Sequence, residues 1–100
     1  MNYEWDPAKN LENTRKHKVS FEQAKIALDD PYRLCFYDEA HSLNEDRFII
    51  FGNAEGRILF VSIVVCVDED TIRIISARRA NKNEMEAYDE NCSLFFGKRT

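Results

Sequence analysis

The sequence predicts an α+β fold in two layers, with helices gathered on one side of an antiparallel sheet of about four to five strands. Three observations carry this prediction. The first third of the chain holds one short alternating segment and two helical segments with capping patterns at their starts. The middle holds β-rich apolar runs separated by polar turns, and a further capped helix follows them. The length, 100 residues, fits one core of this kind and is too short for two.

Taken in order, Tyr3-Glu4-Trp5 alternates and reads as a short edge strand. Asp6-Pro7 is a helix start: Asp accepts at the N-cap, and Pro costs nothing at the first helical position. The segment through Lys16 continues it as a polar helix. Ser20 and Gln23 form a capping box for a second helix, with Phe21, Ala24, Ala27 and Leu28 on one face. Asp29-Asp30-Pro31 stops that helix, because the residue before Pro is driven out of the α region. Residues 32–37 are aromatic and strand-like, and 38–46 form an acidic polar loop. Residues 47–51 and 57–67 read as hairpin arms around a five-residue loop, Gly52 to Gly56. The second arm is apolar on both alternating sets, which predicts a central strand. Residues 71–77 are the next strand, and Asn81 with Glu84 caps a helix to about Glu90. The expected organisation is one domain over residues 1–90 and a tail over 91–100, whose Leu94, Phe95 and Phe96 would dock on the sheet or on a partner.

Fourteen basic against eighteen acidic side chains give a formal charge of −4, which excludes a polybasic nucleic-acid binder. The charge is uneven. Residues 36–56 carry five acids against Arg47, whereas 57–83 carry five bases against Asp68, Glu69 and Asp70. A small positive cleft on an acidic body is therefore expected. Cys35, Cys66 and Cys92 have no metal-binding spacing and read as free thiols in a reducing cytosol, Cys35 and Cys66 as small buried side chains. The start of the chain has no signal-peptide pattern, and the longest apolar run, from Ile58 to Val67, is about half the roughly 20 residues a membrane helix needs. A cytoplasmic protein is expected.

No phosphate-binding glycine loop, zinc-protease motif or nucleophile elbow is present, and no metal or cofactor is expected. His41 reads as a solvated loop residue. The residues that call for explanation are Arg73, Arg78 and Arg79 around the last strand. Strict alternation puts Arg73 and Arg79 on one face and Arg78 on the other. A guanidinium inside an apolar strand is paired with an acid such as Glu55, lies at an edge, or binds an anion such as phosphate. Arg15, Lys16, His17 and Lys18 form a second basic group, favourable at a helix C-terminus, and His17 within it is a candidate proton acceptor. The single Trp, Trp5, reads as core or as a base-stacking surface.

These residues resemble the BrnT family of bacterial type II toxins, whose fold is like that of RelE ribonuclease toxins. The resemblance runs over nearly the whole domain. It rests on residues 3–10, Arg15 to Ala24, Asp29-Asp30-Pro31, the segment Ile72 to Ala80, and Glu84, Glu86 and Tyr88. One departure stands out: Lys18 occupies a position where family members typically have Gly.

The resemblance implies a toxin that cleaves mRNA by attack of the ribose 2′-OH without a metal, and so arrests growth. It also implies a cognate DNA-binding, BrnA-like antitoxin that forms a hetero-oligomer with the toxin, blocks its site, and alone contacts operator DNA. Transferred onto this chain, Arg73, Arg78 and Arg79 would stabilise the scissile phosphate. His17 and Glu55 would be candidates for proton transfer or orientation, and Lys16, Trp5 and Lys82 would contact RNA. The alternative is a catalytically weak or inactive homologue that acts as a binding module in antitoxin-mediated, DNA-bound autorepression.

Overall fold

The computed structural model describes the backbone of residues 2–96 and the side chains of residues 2–92. The elements are β1 (Asn2–Glu4), α1 (Pro7–His17), α2 (Phe21–Leu28), β2 (Leu34–Tyr37), β3 (Arg47–Ala54), β4 (Arg57–Cys66), β5 (Thr71–Arg79) and α3 (Lys82–Phe96). Short 3-10 turns lie at Glu39–His41 and Val67–Glu69. The expected caps are in place. Asp6 accepts from the Ala8 N–H, and Ser20 and Gln23 bond reciprocally at the start of α2. Asn81 and Glu84 do the same at the start of α3. That helix runs past its expected end near Glu90 to Phe96. The side chains of Leu94, Phe95 and Phe96, and residues 97–100 altogether, lie outside the described residues.

The sheet order is β1-β5-β4-β3-β2, with β4 central as its two-sided apolar pattern requires. The sheet is mixed and not purely antiparallel, because β1 pairs parallel with β5. The connection explains this. After β1 the chain crosses through α1 and α2 to the far edge, then walks back in an antiparallel meander and reaches β1 from the other side.

One face of the sheet is covered by helix. Phe21, Ala24, Ala27 and Leu28 of α2 pack there on Ile50, Ala54, Leu59, Val61, Ile63, Ile74 and Ala77. This approach is close enough to dictate one residue. A Cβ on Gly52 would sit 2.2 Å from the Ala27 carbonyl oxygen, so Gly52 belongs to β3 as the point where α2 touches the strand. The predicted five-residue loop is thus a two-residue turn, Glu55-Gly56, with both residues at positive φ. Cys35 is exposed, contrary to expectation, because it sits on the edge strand while α2 packs against β3, β4 and β5.

Polar clamps hold the helices in place. α1 has no apolar stripe: Leu11 is 74% exposed, and Asn13 is the residue it buries. Since β1 ends at Glu4, the edge of β5 beyond Arg73 lacks a neighbouring strand, and Asn13 takes that role. Its Oδ1 accepts from the Ala77 N–H (3.2 Å), and its Nδ2 donates to the carbonyls of Ala77 and Val19 (2.8 Å each). Asn10 accepts from the Phe21 N–H at the start of α2. At the other end of α2, the buried Asp30 accepts from the backbone N–H groups of Tyr32 and Asn53 and from the Tyr88 hydroxyl, joining α2, β3 and α3. Burial and then the bond to Asp30 push the Tyr88 phenol well above its ordinary range. Lys18 ends α1 at φ 59°, the left-handed region that glycine occupies at lower cost.

Replacing Asn13 by Ala strands a buried N–H and two carbonyls, so Asn13→Ala is expected to cost roughly 2–4 kcal/mol in chemical denaturation. Leu11→Ala on the same helix is expected to stay within about 0.5 kcal/mol.

Candidate active site

The arginine-bearing strand departs from regular alternation at one residue. Ser62 pairs with Ser76, but Ile63 pairs with Ile74, leaving Ile75 as an extra residue in β5. This bulge reverses the facing of everything after it. Ala77 turns into the core opposite Val61, and Arg78 turns out opposite Phe60. Arg73, before the bulge, lies opposite Val64. Arg73 and Arg78 therefore share the open face of the sheet, and Arg79 lies on the other side at the strand end. This is the reverse of the strict-alternation expectation.

Arg78 is held from three directions. Its guanidinium forks the Glu84 carboxylate (Nη1 to Oε1 2.8 Å, Nη2 to Oε2 2.9 Å) and Nη1 donates to the Arg79 carbonyl. Its Cζ lies 3.9 Å from the centre of the Phe60 ring. The same Glu84 caps α3, so the capping box also fixes the arginine. The Arg78 fork, reinforced by the Asn81 N–H, holds the Glu84 carboxyl below the usual carboxylate range. Arg73 is paired through Nε (2.9 Å) and Nη2 (2.8 Å) with Oε1 of Glu4, its neighbour across the parallel β1 pairing.

Between these rows the open face carries a cleft of ≈ 290 Å³. Ile49, Phe60, Ser62, Ile75 and Ser76 form its floor, and Arg47, Asp38 and His41 form its wall. Arg47 stands in the same cross-strand row as Arg73, on either side of Val64. Its Nη2 lies 3.5 Å from Glu45, and its buried Nε has no hydrogen-bond partner among the described residues. The ring of His41 bonds Asp38 at 2.9 Å. The sequence reading takes His41 for a solvated loop residue and does not place Arg47 or Asp38 in a site. The available signal was the Asp38-x-x-His41 spacing, which brings the two side chains together once the loop folds into a 3-10 turn.

The remaining expected residues lie elsewhere. Arg79 lines a hollow of ≈ 340 Å³ with Arg57, Ile58 and Met85, and Glu55 is at the hairpin tip beside it. The pairing of β4 with β5 puts the tip, Arg79 and Lys82 at one end of the domain. The Asn13 clamp at Ala77 anchors α1 four residues before its exposed last residue, His17, with exposed Lys16 beside it. Trp5 packs edge-on against Phe21, with ring centres 6.2 Å apart, as part of the core wall. Glu4, Cys66 and Glu69 bring possible metal-ligand atoms within 4.8 Å of one another, but the Glu4 oxygen is already engaged by Arg73.

A protein-family model described as ribonuclease toxin, BrnT, of type II toxin-antitoxin system matches residues 5–84. The chain belongs to the BrnT family. No curated protein matches it significantly. The BrnT match runs from Trp5 through the whole meander and ends on Glu84, so it includes the bulged strand, the cleft and the Arg78–Glu84 fork. Among the described residues no helix is long and apolar enough to cross a membrane.

Because the folded-state pKa of Glu84 is depressed, its contribution to stability is present above the ordinary value of 4.5 and is lost as pH falls through the folded value. The stability difference between the parent chain and Glu84→Gln is therefore expected to be largest near neutrality and to shrink below about pH 4.5. Denaturation midpoints measured from pH 3 to 7 check this.

Proposed function

We propose that this BrnT chain is a cytoplasmic endoribonuclease toxin that cuts mRNA on the open face of its sheet, without a metal ion, and so arrests growth. A cognate BrnA-like antitoxin neutralises it by binding as a hetero-oligomer over that face, and operator DNA is contacted through the antitoxin alone. The observation that carries this reading is the open-face cleft, with Arg73 and Arg78 brought to one side of the sheet by a bulge at its edge.

The chemistry follows from what RNA cleavage needs. Attack of a 2′-OH on the adjacent phosphorus concentrates negative charge on the non-bridging oxygens, and planar guanidinium donors stabilise it. Arg78, Arg47 and Arg73 are the donors on this face, and the Ser62 and Ser76 hydroxyls add neutral ones. Phe60 and Ile49 offer an apolar floor to a base. Arg79, Lys82, Lys16 and His17 contact phosphates flanking the cut, and Glu55 orients them from the hairpin tip. Trp5 contributes through the core.

One observation favours the alternative of a binding module. Each guanidinium on this face has a carboxylate close by: Glu84 for Arg78, Glu4 for Arg73 and, more loosely, Glu45 for the cleft-lining Arg47. A site balanced in this way is also what a protein-binding face would carry.

Purified chain incubated with RNA in EDTA separates the two readings. The toxin reading expects cleavage that survives EDTA and falls about 10²-fold or more in Arg78→Ala. No cleavage, with tight antitoxin binding retained, leaves the binding module.

A further inference from the structure

We propose that His41 is the general base of this cleavage and that Asp38 is its positioning residue. The inference rests on the reading of the open face as the site of RNA cleavage. Asp38, whose side chain is 14% exposed, is fixed by its surroundings. Its N–H donates to the Arg47 carbonyl (2.8 Å), and its own carbonyl accepts from Ser42 Oγ (2.6 Å). Ser42 Oγ in turn accepts from the Arg47 N–H (3.0 Å). The turn is thereby closed onto the first residue of β3, so it is a built structure and not a loose loop.

The tautomer follows from the partner. An ionised carboxylate only accepts hydrogen bonds, so His41 Nδ1, 2.9 Å from Asp38 Oδ2, carries the hydrogen. Nε2 is left with its lone pair, on a ring that is 67% exposed and lines the cleft. This is the arrangement by which a carboxylate orients a histidine for proton transfer. The charged groups facing the ring are Asp38 from its own turn and Arg47 from β3, with Glu45 beside Arg47. From β4 and β5 the cleft receives the Ser62 and Ser76 hydroxyls and apolar side chains.

In the reaction, His41 Nε2 takes the proton of the ribose 2′-OH as the bond from O2′ to phosphorus forms. The bond from phosphorus to O5′ breaks with its electron pair on O5′, which takes a proton from water. The products are a 2′,3′-cyclic phosphate and a 5′-hydroxyl, and the imidazolium returns its proton to solvent. Arg47, on the same wall, faces the phosphate charge as it grows.

The test is the pH–rate profile of cleavage for the parent chain, His41→Gln and Asp38→Asn, with unfolding midpoints to show that each variant is folded. The parent is expected to lose rate on the acid side, where a histidine base is protonated. His41→Gln should fall about 10²-fold and lose that acid limb. Asp38→Asn should move the limb to lower pH and lower the rate less. A His41→Gln variant that keeps the parent rate and acid limb overturns the assignment while leaving the open-face site standing. A parent chain that leaves RNA uncut overturns the site and this inference together.

Discussion

The hydrogen bonds between the Asn13 amide and Ala77 govern the rest of the structure. A strand with an extra residue can slide, and a one-residue slip of β5 would return Arg78 to the covered face and Ala77 to the open one. Asn13 grips both the N–H and the C=O of Ala77, two residues past the bulge, where no strand is available to do so. The same amide holds Val19, which is fully buried, and so sets where α1 ends and α2 begins. One side chain thus ties the register of the arginine-bearing strand to the docking of both N-terminal helices.

The electrostatics of the open face have a common form. Each arginine there is met by a carboxylate from a different element: Glu84 from α3, Glu4 from β1 and Glu45 from the loop before β3. Pairing lets guanidinium groups lie on an apolar sheet without an uncompensated charge, and the forked Arg78–Glu84 pair is the most constrained of the three. On the proposed reading, an RNA phosphate would have to share or displace a carboxylate to bind. The expected positive cleft on an acidic body is therefore nearer to neutral, and affinity has to come from geometry more than from bulk charge.

Features set by neighbours in sequence were legible there. The caps at Asp6, Ser20 and Asn81, the stop at Asp29-Asp30-Pro31 and the central position of β4 follow from local chemistry, and all are present. Features set across the sheet were not. Nothing in the run Ile72 to Arg79 marks Ile75 as a bulge, so alternation assigned the arginines to the wrong faces. Gly52 looked like a loop glycine because its reason, the Ala27 carbonyl, lies on another element. The acid partners of Arg73 and Arg78 were foreseeable as a class, yet Glu4 and Glu84 are 69 and 6 residues away from them. Asn13, in a polar helix, looked like any surface residue until the free edge of β5 was opposite it.

The open face as the RNA-binding face is tested most directly by a crystal structure of the chain with a short 2′-O-methyl RNA, which binds but offers no 2′-OH for attack. The account predicts a phosphate seated in the cleft within hydrogen-bond distance of Arg78 or Arg47, with the adjoining ribose toward His41. RNA bound instead in the hollow of Arg57 and Arg79, with the cleft empty, would contradict it.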